Sequence, residues 1–309
     1  FMDLNEILKV YKEDFKINEN EFLKVQCIFL SDIYQRYNND LDCANIVLFF
    51  AKRLHYKILR ERDKDLDYDI SFKNFWNNHH KLTQDDLKTI DVANQTGLPK
   101  ETARRKIQLL LKHKVLKKTG KRIYWSPTIL DENSYNKIVS NHIGIIARLI
   151  SNLLLRLNLK IPTEIINKLI VKNFSFYWYH FLNTQLNFLK YWKNNLNDLE
   201  LLLIAIECCI QGNLIITNKH QGISEKIISA NTISNITGIP RATCVRKLAQ
   251  LHKLKLIEKD SATKKYYIAP GNMNNNRIFT KESESNITVM FAEFFLIIIR
   301  ALKRKENVF

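Results

Sequence analysis

Apolar side chains recur with a helical period in two separate stretches of the chain. In each stretch they occupy positions i, i+4 and i+7, which places them on one face of a helix. These apolar stripes are Ala103, Ile107 and Leu110 in the first stretch and Cys244, Leu248 and Leu251 in the second. The pattern predicts two amphipathic helices, each with a polar face turned toward solvent.

A shorter helix and a tight turn are predicted before the first amphipathic helix, and a hairpin after it. Thr96-Gly97 ends the short helix, because glycine readily adopts the positive φ found at helix C-termini. Pro99 follows in the first turn of the next helix, where its missing N–H costs nothing. Val115 to Trp125 surrounds a Thr119-Gly120 turn and predicts two short strands.

The second stretch is a copy of the first, offset by a constant 141 residues (237 − 96). The chain holds only 7 Gly and 5 Pro, and a Gly and a Pro still coincide, which excludes an accident of composition. The matching residues are Asn94, Thr96, Gly97, Pro99, Thr102, Arg105 and Lys106 with Asn235, Thr237, Gly238, Pro240, Thr243, Arg246 and Lys247. The motif of helix, turn, helix and hairpin is therefore predicted twice.

The duplication extends beyond this motif. Tyr37–Leu41 resembles Trp192–Leu196 at an offset of 155, and the difference of 14 predicts extra residues within Glu61–His80. An apolar helix is predicted after each motif, at Ile138–Leu157 and at Ile287–Leu302. We therefore predict two homologous halves, residues 1–160 and 161–309.

Composition favours helices and excludes several other classes. Apolar residues make up 46% and charged residues 26%, as in globular proteins. An all-β fold needs turn residues every ~8–12 positions, more than this chain supplies. The five cysteines form no CxxC pair and are expected to be reduced, buried thiols rather than metal ligands. No motif for catalysis or cofactor binding is present, so neither enzymatic activity nor a cofactor is expected.

A membrane location is not expected from the sequence. Its longest apolar run, Val289 to Ile299, is too short to span a bilayer and contains Glu293. The residues that follow Met2 have neither the basic nor the apolar region of a secretory signal. We expect a cytoplasmic protein.

The charge is strongly basic. Lys and Arg number 48 against 31 Asp and Glu, which leaves a formal net charge of +17 at pH 7. Such a balance is typical of contact with phosphate backbones or anionic surfaces. A genome with biased nucleotide composition also yields Lys-rich and Asn-rich chains, so charge alone identifies no partner.

Thr96-Gly-Leu-Pro-Lys-Glu-Thr-Ala-Arg-Arg105 and Thr237-Gly-Ile-Pro-Arg-Ala-Thr-Cys-Val-Arg246 resemble the helix-turn-helix of bacterial winged-helix transcriptional regulators, in particular the IclR and MarR groups. The resemblance covers about Leu87–Pro127 and Ile227–Pro270. It implies a mainly α protein with two tandem winged helix-turn-helix domains, at about 82–128 and 223–271. Each would have a three-helix core and a β-hairpin wing, with additional long packing helices.

The resemblance also implies a function and its residues. It implies sequence-specific binding of double-stranded DNA by a transcriptional regulator that acts as a single-chain pseudo-dimer, with half-sites about 34 Å apart. The residues expected to contact DNA are Lys100, Glu101, Thr102, Arg104, Arg105, Lys121, Arg122, Arg241, Thr243, Arg246, Lys264 and Lys265. Arg105 and Arg246 are the candidates for base contact, and the hairpin cations are candidates for phosphate contact.

Several alternatives stay open at this level. The second motif carries Ala242 and Val245 where the first has Glu101 and Arg104, so the halves are expected to read different sequences, or one reads none. A replication initiator with two winged helices fits the same pattern, as does a winged-helix module that binds proteins without DNA readout. The sequence does not separate a monomer from a dimer.

Two further clusters are candidates for ligand binding. The aromatic stretch Phe174–Trp192 either packs in the core, as its helical spacing favours, or receives a small aromatic effector. His79-His80 has no Cys or carboxylate at ligand spacing, so it is predicted to lie on a polar loop without a metal.

Overall fold

The structure is a computed structural model, and it describes residues 3–13, 15–82, 87–125, 127, 129–218, 228–261, 266–267 and 281–306. The chain is mainly α-helical, as its low glycine and proline content predicts. The helices are α1 (Leu4–Glu13), α2 (Phe15–Arg36), α3 (Leu41–Lys64), α4 (Phe72–Asn78), α5 (Thr89–Thr96), α6 (Lys100–Lys112), α7 (Ile129–Arg156), α8 (Thr163–Lys172), α9 (Phe174–Leu196), α10 (Leu199–Asn218), α11 (Ala230–Thr237), α12 (Arg241–Lys253) and α13 (Lys281–Glu306). A short 3-10 helix spans His79–Lys81.

The strands of the described chain form two antiparallel hairpins. Strands β1 (Leu116–Thr119) and β2 (Arg122–Trp125) pair with Leu116 opposite Trp125. Strands β3 (Glu258–Lys259) and β4 (Tyr266–Tyr267) pair with Glu258 opposite Tyr267. Both hairpins lie at the predicted places, directly after α6 and α12.

The chain packs into two compact units, each built from more than one segment. Unit 1 comprises residues 1–10, 42–194 and 290–309, and unit 2 comprises residues 11–41 and 195–289. The predicted division at residue 160 is a division of the sequence repeat and differs from these packing boundaries, since residue 160 lies inside unit 1. Unit 1 therefore contains α5, α6 and the first hairpin, and unit 2 contains α11, α12 and the second.

The core of unit 1 is rich in aromatic side chains. Phe174, Trp178, Phe181, Phe188 and Trp192 of α9 are all buried, at 3% exposure or less. They follow one another at helical spacing, and the ring of Phe188 meets Phe291 of α13 at a centroid distance of 6.1 Å. The predicted core packing of the aromatic stretch is confirmed.

The core of unit 2 forms where α2 packs along α10 and the end of α2 meets α11. Leu30 of α2 and Leu203 of α10 have no exposed surface. The apolar stripe of α12 also packs on α10, and Cys244, Leu248 and Leu251 are fully buried. The stripe predicted from the period of 3.6 residues is therefore the buried face of this helix.

One helix among the described residues is long and apolar enough to cross a membrane by length and composition. It is the part of α7 from Asn133 to Arg156, and half of its most apolar window is buried inside the protein. Core helices of soluble proteins meet the same criterion, so this finding adds little weight to a membrane location.

Candidate nucleic-acid interface

The turn between α5 and α6 has the geometry that its Thr-Gly-Leu-Pro sequence predicts. Gly97 ends α5 with φ of +73°, and its N–H donates to the carbonyl of Ala93 at 3.0 Å. The hydroxyl of Thr96 donates to the carbonyl of Val92 at 2.7 Å. Pro99 is the residue before α6, one position earlier than predicted, and its carbonyl accepts from the N–H of Ala103 at 2.9 Å.

The turn between α11 and α12 repeats this geometry. Gly238 has φ of +75° and donates to the carbonyl of Ser234 at 2.9 Å. The hydroxyl of Thr237 donates to the carbonyl of Ile233 at 2.7 Å, and the N–H of Cys244 donates to Pro240 at 3.0 Å. The sequence repeat is therefore a repeat of backbone structure.

Both motifs also leave the second helix in the same way, which the sequence did not predict. Lys114 and Lys255 follow α6 and α12 with φ of +59° and +58°, a conformation that favours glycine. The next residue then donates back into the helix, Val115 to Leu110 at 2.9 Å and Leu256 to Leu251 at 3.0 Å. The equal spacing of these lysines from the glycine turns, 17 residues in each copy, was the available signal.

The outward face of α6 is charged. Lys100, Glu101, Arg104 and Arg105 are exposed, and Thr102 is half-buried. Nε of Arg104 donates to Oε2 of Glu101 at 2.9 Å, with 63% and 74% of the two side chains exposed. A pair that exposed is worth little to stability. The face therefore presents three cations, one of which is bound to a neighbouring carboxylate.

The outward face of α12 is less polar at the matching positions. Arg241 and Arg246 are exposed, Thr243 is half-buried, and Nε of Arg241 donates to Oδ1 of Asn231 at 2.6 Å. Between the two arginines the exposed side chains are those of Ala242 and Val245. This surface keeps a cation at the positions of Lys100 and Arg105 and lacks the charges of Glu101 and Arg104.

The first hairpin presents the predicted cations at its turn. Lys121 and Arg122 are exposed, and they follow Gly120, whose φ is +59°. The corresponding predicted residues of the second hairpin, Lys264 and Lys265, lie outside the described residues. The described part of that hairpin places Nζ of Lys259 5.4 Å from the ring centroid of Tyr266.

The burial of Lys247, in the middle of α12, was not recognised from the sequence. Nζ of Lys247 donates to Oδ2 of Asp198 and lies 3.6 Å from Oε2 of Glu200, with only 8% of the lysine side chain exposed. Burial raises the pKa of Glu200 above its usual value, and the charge of Lys247 opposes that shift. Because Asp198 directly precedes α10 and Glu200 lies in its first turn, these ion pairs fix α12 to the start of that helix.

The histidine pair does not lie on a polar loop, so that prediction is wrong for His79. This residue is 7% exposed and begins the short 3-10 helix. Its Nδ1 lies 3.1 Å from the carbonyl oxygens of Phe75 and Trp76, and its Nε2 lies 3.3 Å from that of Pro127. Within the described residues, no cluster of three or more His, Cys, Asp or Glu could hold a metal ion.

A second histidine is enclosed in the same part of unit 1. The ring of His55 stacks on Phe75 at a centroid distance of 4.7 Å and meets the edge of Phe174 at 5.2 Å. In the described part of the chain neither ring nitrogen has a hydrogen-bond partner. Burial, with a smaller contribution from the charge of His79, lowers the pKa of His55 to about 3.

The features above define a mainly α-helical protein with a duplicated helix–turn–helix–hairpin motif. Comparison of the chain with known protein families, with curated proteins and with solved structures found no match. A functional assignment therefore depends on the geometry and chemistry of the two motifs themselves.

Proposed function

We propose that this chain is a double-stranded DNA-binding protein, and that its two motifs are winged helix-turn-helix elements of a transcriptional regulator. The observation that carries the proposal is the pair Arg105 and Arg246. Each lies on the solvent side of the second helix, in its second turn, after a glycine turn of the same geometry. We call α6 and α12 the recognition helices.

The chemistry of the first motif favours direct base readout. An exposed arginine near the start of a helix that enters the major groove can donate two hydrogen bonds to a guanine. Arg105 stands in that position, with Lys100 at the first residue of α6. The exposed Lys121 and Arg122 of the hairpin turn supply charge for the flanking phosphates.

The second motif supports a weaker or different DNA contact. Arg241 and Arg246 supply positive charge at the start and in the second turn of α12, while Ala242 and Val245 offer only apolar contact. Apolar side chains in the major groove contact thymine methyl groups rather than hydrogen-bonding edges. We therefore propose that one chain reads two half-sites of unequal sequence.

A second candidate function has an observation of its own. Ile236 of α11, Val245 of α12 and Leu254, the residue after α12, are 43%, 44% and 50% exposed, where the first motif carries Gln95, Arg104 and His113. Exposed apolar side chains favour a protein partner over a phosphate backbone. In that case the second motif binds protein and the first alone reads DNA.

The test begins with the full chain and duplexes selected from random DNA. Binding should weaken with salt, with a slope of log K against log salt steeper than about −4, because several phosphates are neutralised. Arg105→Ala should cost about 1–3 kcal/mol on the selected duplex and little on a scrambled one. Lys121→Ala with Arg122→Ala should weaken both duplexes alike and flatten the slope by about one unit for each phosphate interaction that is removed.

A matched control is Lys168→Ala, which removes one exposed cation from α8, outside both motifs. It should leave both affinities and the salt slope unchanged. Absence of binding at low salt would reject the DNA-binding function. An equal proportional loss on both duplexes in Arg105→Ala would reject α6 as the reading helix.

A further inference from the structure

The packing units and the sequence repeats do not coincide: residues 11–41, 161–194 and 290–309 each lie in the unit that holds the other repeat's motif, and two of the helices in these segments are matching helices. Tyr37–Leu41 and Trp192–Leu196 are matching segments of the two repeats, so α2 and α9, which these segments follow or close, are matching helices. Yet α2 belongs to the packing unit of the second motif, and α9 belongs to that of the first. Each of these helices is therefore exchanged between repeats.

In unit 2 the exchanged helix runs against α10, the helix that leads into the second motif. Sγ of Cys27 donates to Oε2 of Glu207 at 3.3 Å, and both residues are buried. Burial, and then the charge of Glu207, raise the pKa of the Cys27 thiol, which therefore stays protonated as the donor. The contact joins residues 180 positions apart in the sequence.

In unit 1 the other exchanged helix runs against α3, the helix that leads toward the first motif. Nζ of Lys193 pairs with Oδ1 of Asp42 at 2.9 Å, at one end of the contact. Nζ of Lys52 donates to Oδ1 of Asn183 at 3.2 Å, ten residues further along each helix. Residue numbers rise along α3 as they fall along α9, so the two helices are antiparallel.

The C-terminal end of each exchanged helix lies on the glycine turn of the other repeat. A methyl group on Gly238 would lie 2.6 Å from Nε2 of Gln35. A methyl group on Gly97 would lie 3.1 Å from Oδ1 of Asn194 and 3.4 Å from Cγ of Lys190. Gln35 and Lys190 are 155 residues apart, the offset of the matching segments, so their contacts are equivalent, and Asn194 adds a closer contact at Gly97 alone.

We propose that α2 and α9 are a reciprocal pair that positions the recognition helices, with Gln35 acting on α12 and Asn194 acting on α6. The direction of a recognition helix is set at the turn before it, and these two exposed side chains lie against that turn. Each recognition helix is thus aligned by a residue of the other repeat. The consequence for DNA readout rests on the proposed function, whereas the positioning itself does not.

The positioning is tested by amide hydrogen exchange on the full chain. The N–H groups of Gly97 and Gly238 are hydrogen-bonded to Ala93 and Ser234, so their exchange reports the opening of each turn. Gln35→Ala should speed exchange at Gly238 about two- to threefold and leave Gly97 unchanged, because local opening follows the loss of local contacts and an exposed side chain contributes about 0.5 kcal/mol. Asn194→Ala should do the reverse.

Two controls replace exposed residues of the same helices, away from the turns. Lys24→Ala on α2 and Asn187→Ala on α9 should leave both glycine amides unchanged. Faster exchange at Gly97 in Gln35→Ala would overturn the proposal. Unchanged exchange at both glycines in both variants would also overturn it.

The second readout is footprinting on a selected duplex with two half-sites. Gln35→Ala should lose protection, about three- to tenfold in concentration, at the half-site that depends on Arg246, since a displaced helix weakens a bidentate contact. Asn194→Ala should lose it at the half-site that depends on Arg105. Loss at the half-site of the variant's own repeat would overturn the positioning.

The two proposals fail in different ways. If the chain binds no duplex, the proposed function fails, and the reciprocal exchange at Gly97 and Gly238 alone decides the positioning. If the chain binds DNA and the exchange pattern is not reciprocal, the function stands and the positioning is rejected.

Discussion

The two motifs share a backbone and differ in what they show to solvent. The hydrogen bonds donated by Thr96, Gly97 and Ala103 each have a counterpart at an offset of 141 residues. Lys114 and Lys255, which both have a positive φ, match at the same offset. Five outward positions have changed from polar to apolar between the first and the second copy. These are Gln95/Ile236, Glu101/Ala242, Arg104/Val245, Gln108/Ala249 and His113/Leu254.

The difference shows which positions the fold constrains. Buried apolar and turn residues determine the path of the chain, because any loss there leaves a cavity or a strained backbone. Outward residues of a helix cost little to replace, since surface substitutions usually stay within about 0.5 kcal/mol. Duplication therefore left the two surfaces free to acquire separate binding properties while the framework stayed the same.

The largest expected effect on stability distinguishes two matching lysines in the middle of the recognition helices, Lys247 and Lys106. Lys247→Met should lower the free energy of unfolding by about 3 kcal/mol, because it leaves Asp198 and Glu200 without their buried cation. Lys106→Met, at the half-buried matching position, should cost about 1 kcal/mol or less. Urea unfolding of both variants measures the difference, and equal losses would show that the two motifs are anchored alike.

The glycine turns should rank next, at about 2 kcal/mol. Ala at 238 must adopt a left-handed conformation, which costs about 1–2 kcal/mol, and must also displace Gln35. Gly97→Ala should cost somewhat less, since its nearest contact is longer at 3.1 Å. Gly120→Ala is the control, because its φ is +59° and no atom lies within 4 Å of the added methyl. If Gly120→Ala gave the largest loss of unfolding free energy, the close approach of α2 to Gly238 and of α9 to Gly97 would be contradicted.

Acid should distinguish unit 1 through its buried histidine. The pKa of His55 is about 3 in the fold against 6.5 in the unfolded chain, so the unfolded state binds the proton first. Its stabilising contribution is complete above pH 6.5 and is lost as the pH falls toward 3, by at most about 1.4 kcal/mol per pH unit. His55→Phe should reduce this slope in unfolding free energies measured between about pH 7 and 4. An unchanged slope would assign the acid sensitivity to other groups.

The smallest expected effect on stability concerns the exposed pair on α6. Glu101→Ala with Arg104→Val gives the first recognition helix two of the outward residues of the second, and should alter the unfolding free energy by about 0.5 kcal/mol or less. Titration of the double variant with DNA that carries both half-sites is the sharper measurement. If the first half-site then binds as weakly as the second, these two positions account for the difference between the motifs.

Local sequence signals predicted the motif well. The Thr-Gly turn, the proline before the second helix and the apolar stripe of period 3.6 all describe interactions between near neighbours in the chain. The outward placement of Arg105 and Arg246 follows from that same period. The residue type gave no indication of the positive φ at Lys114 and Lys255, because lysine rarely adopts this conformation, and their equal spacing from the glycine turns was the one available signal.

Packing between residues far apart in the chain could not be predicted from the sequence. Lys247 looks like a surface cation, and only the fold reveals the two carboxylates of α10 beside it. The exchange of α2 and α9 is equally hidden, because neighbours in sequence usually pack together. The apolar faces of these helices indicate that they are buried, and do not indicate against which partner.

The chain passes between its two packing units four times, after residues 10, 41, 194 and 289. A premature stop at the repeat boundary near residue 160 would remove α8, α9 and residues 290–309 from unit 1, and it would leave α2 without the rest of unit 2. A single truncation would therefore disrupt both units. Each packing unit therefore needs residues from both repeats, and removal of either repeat should unfold both units.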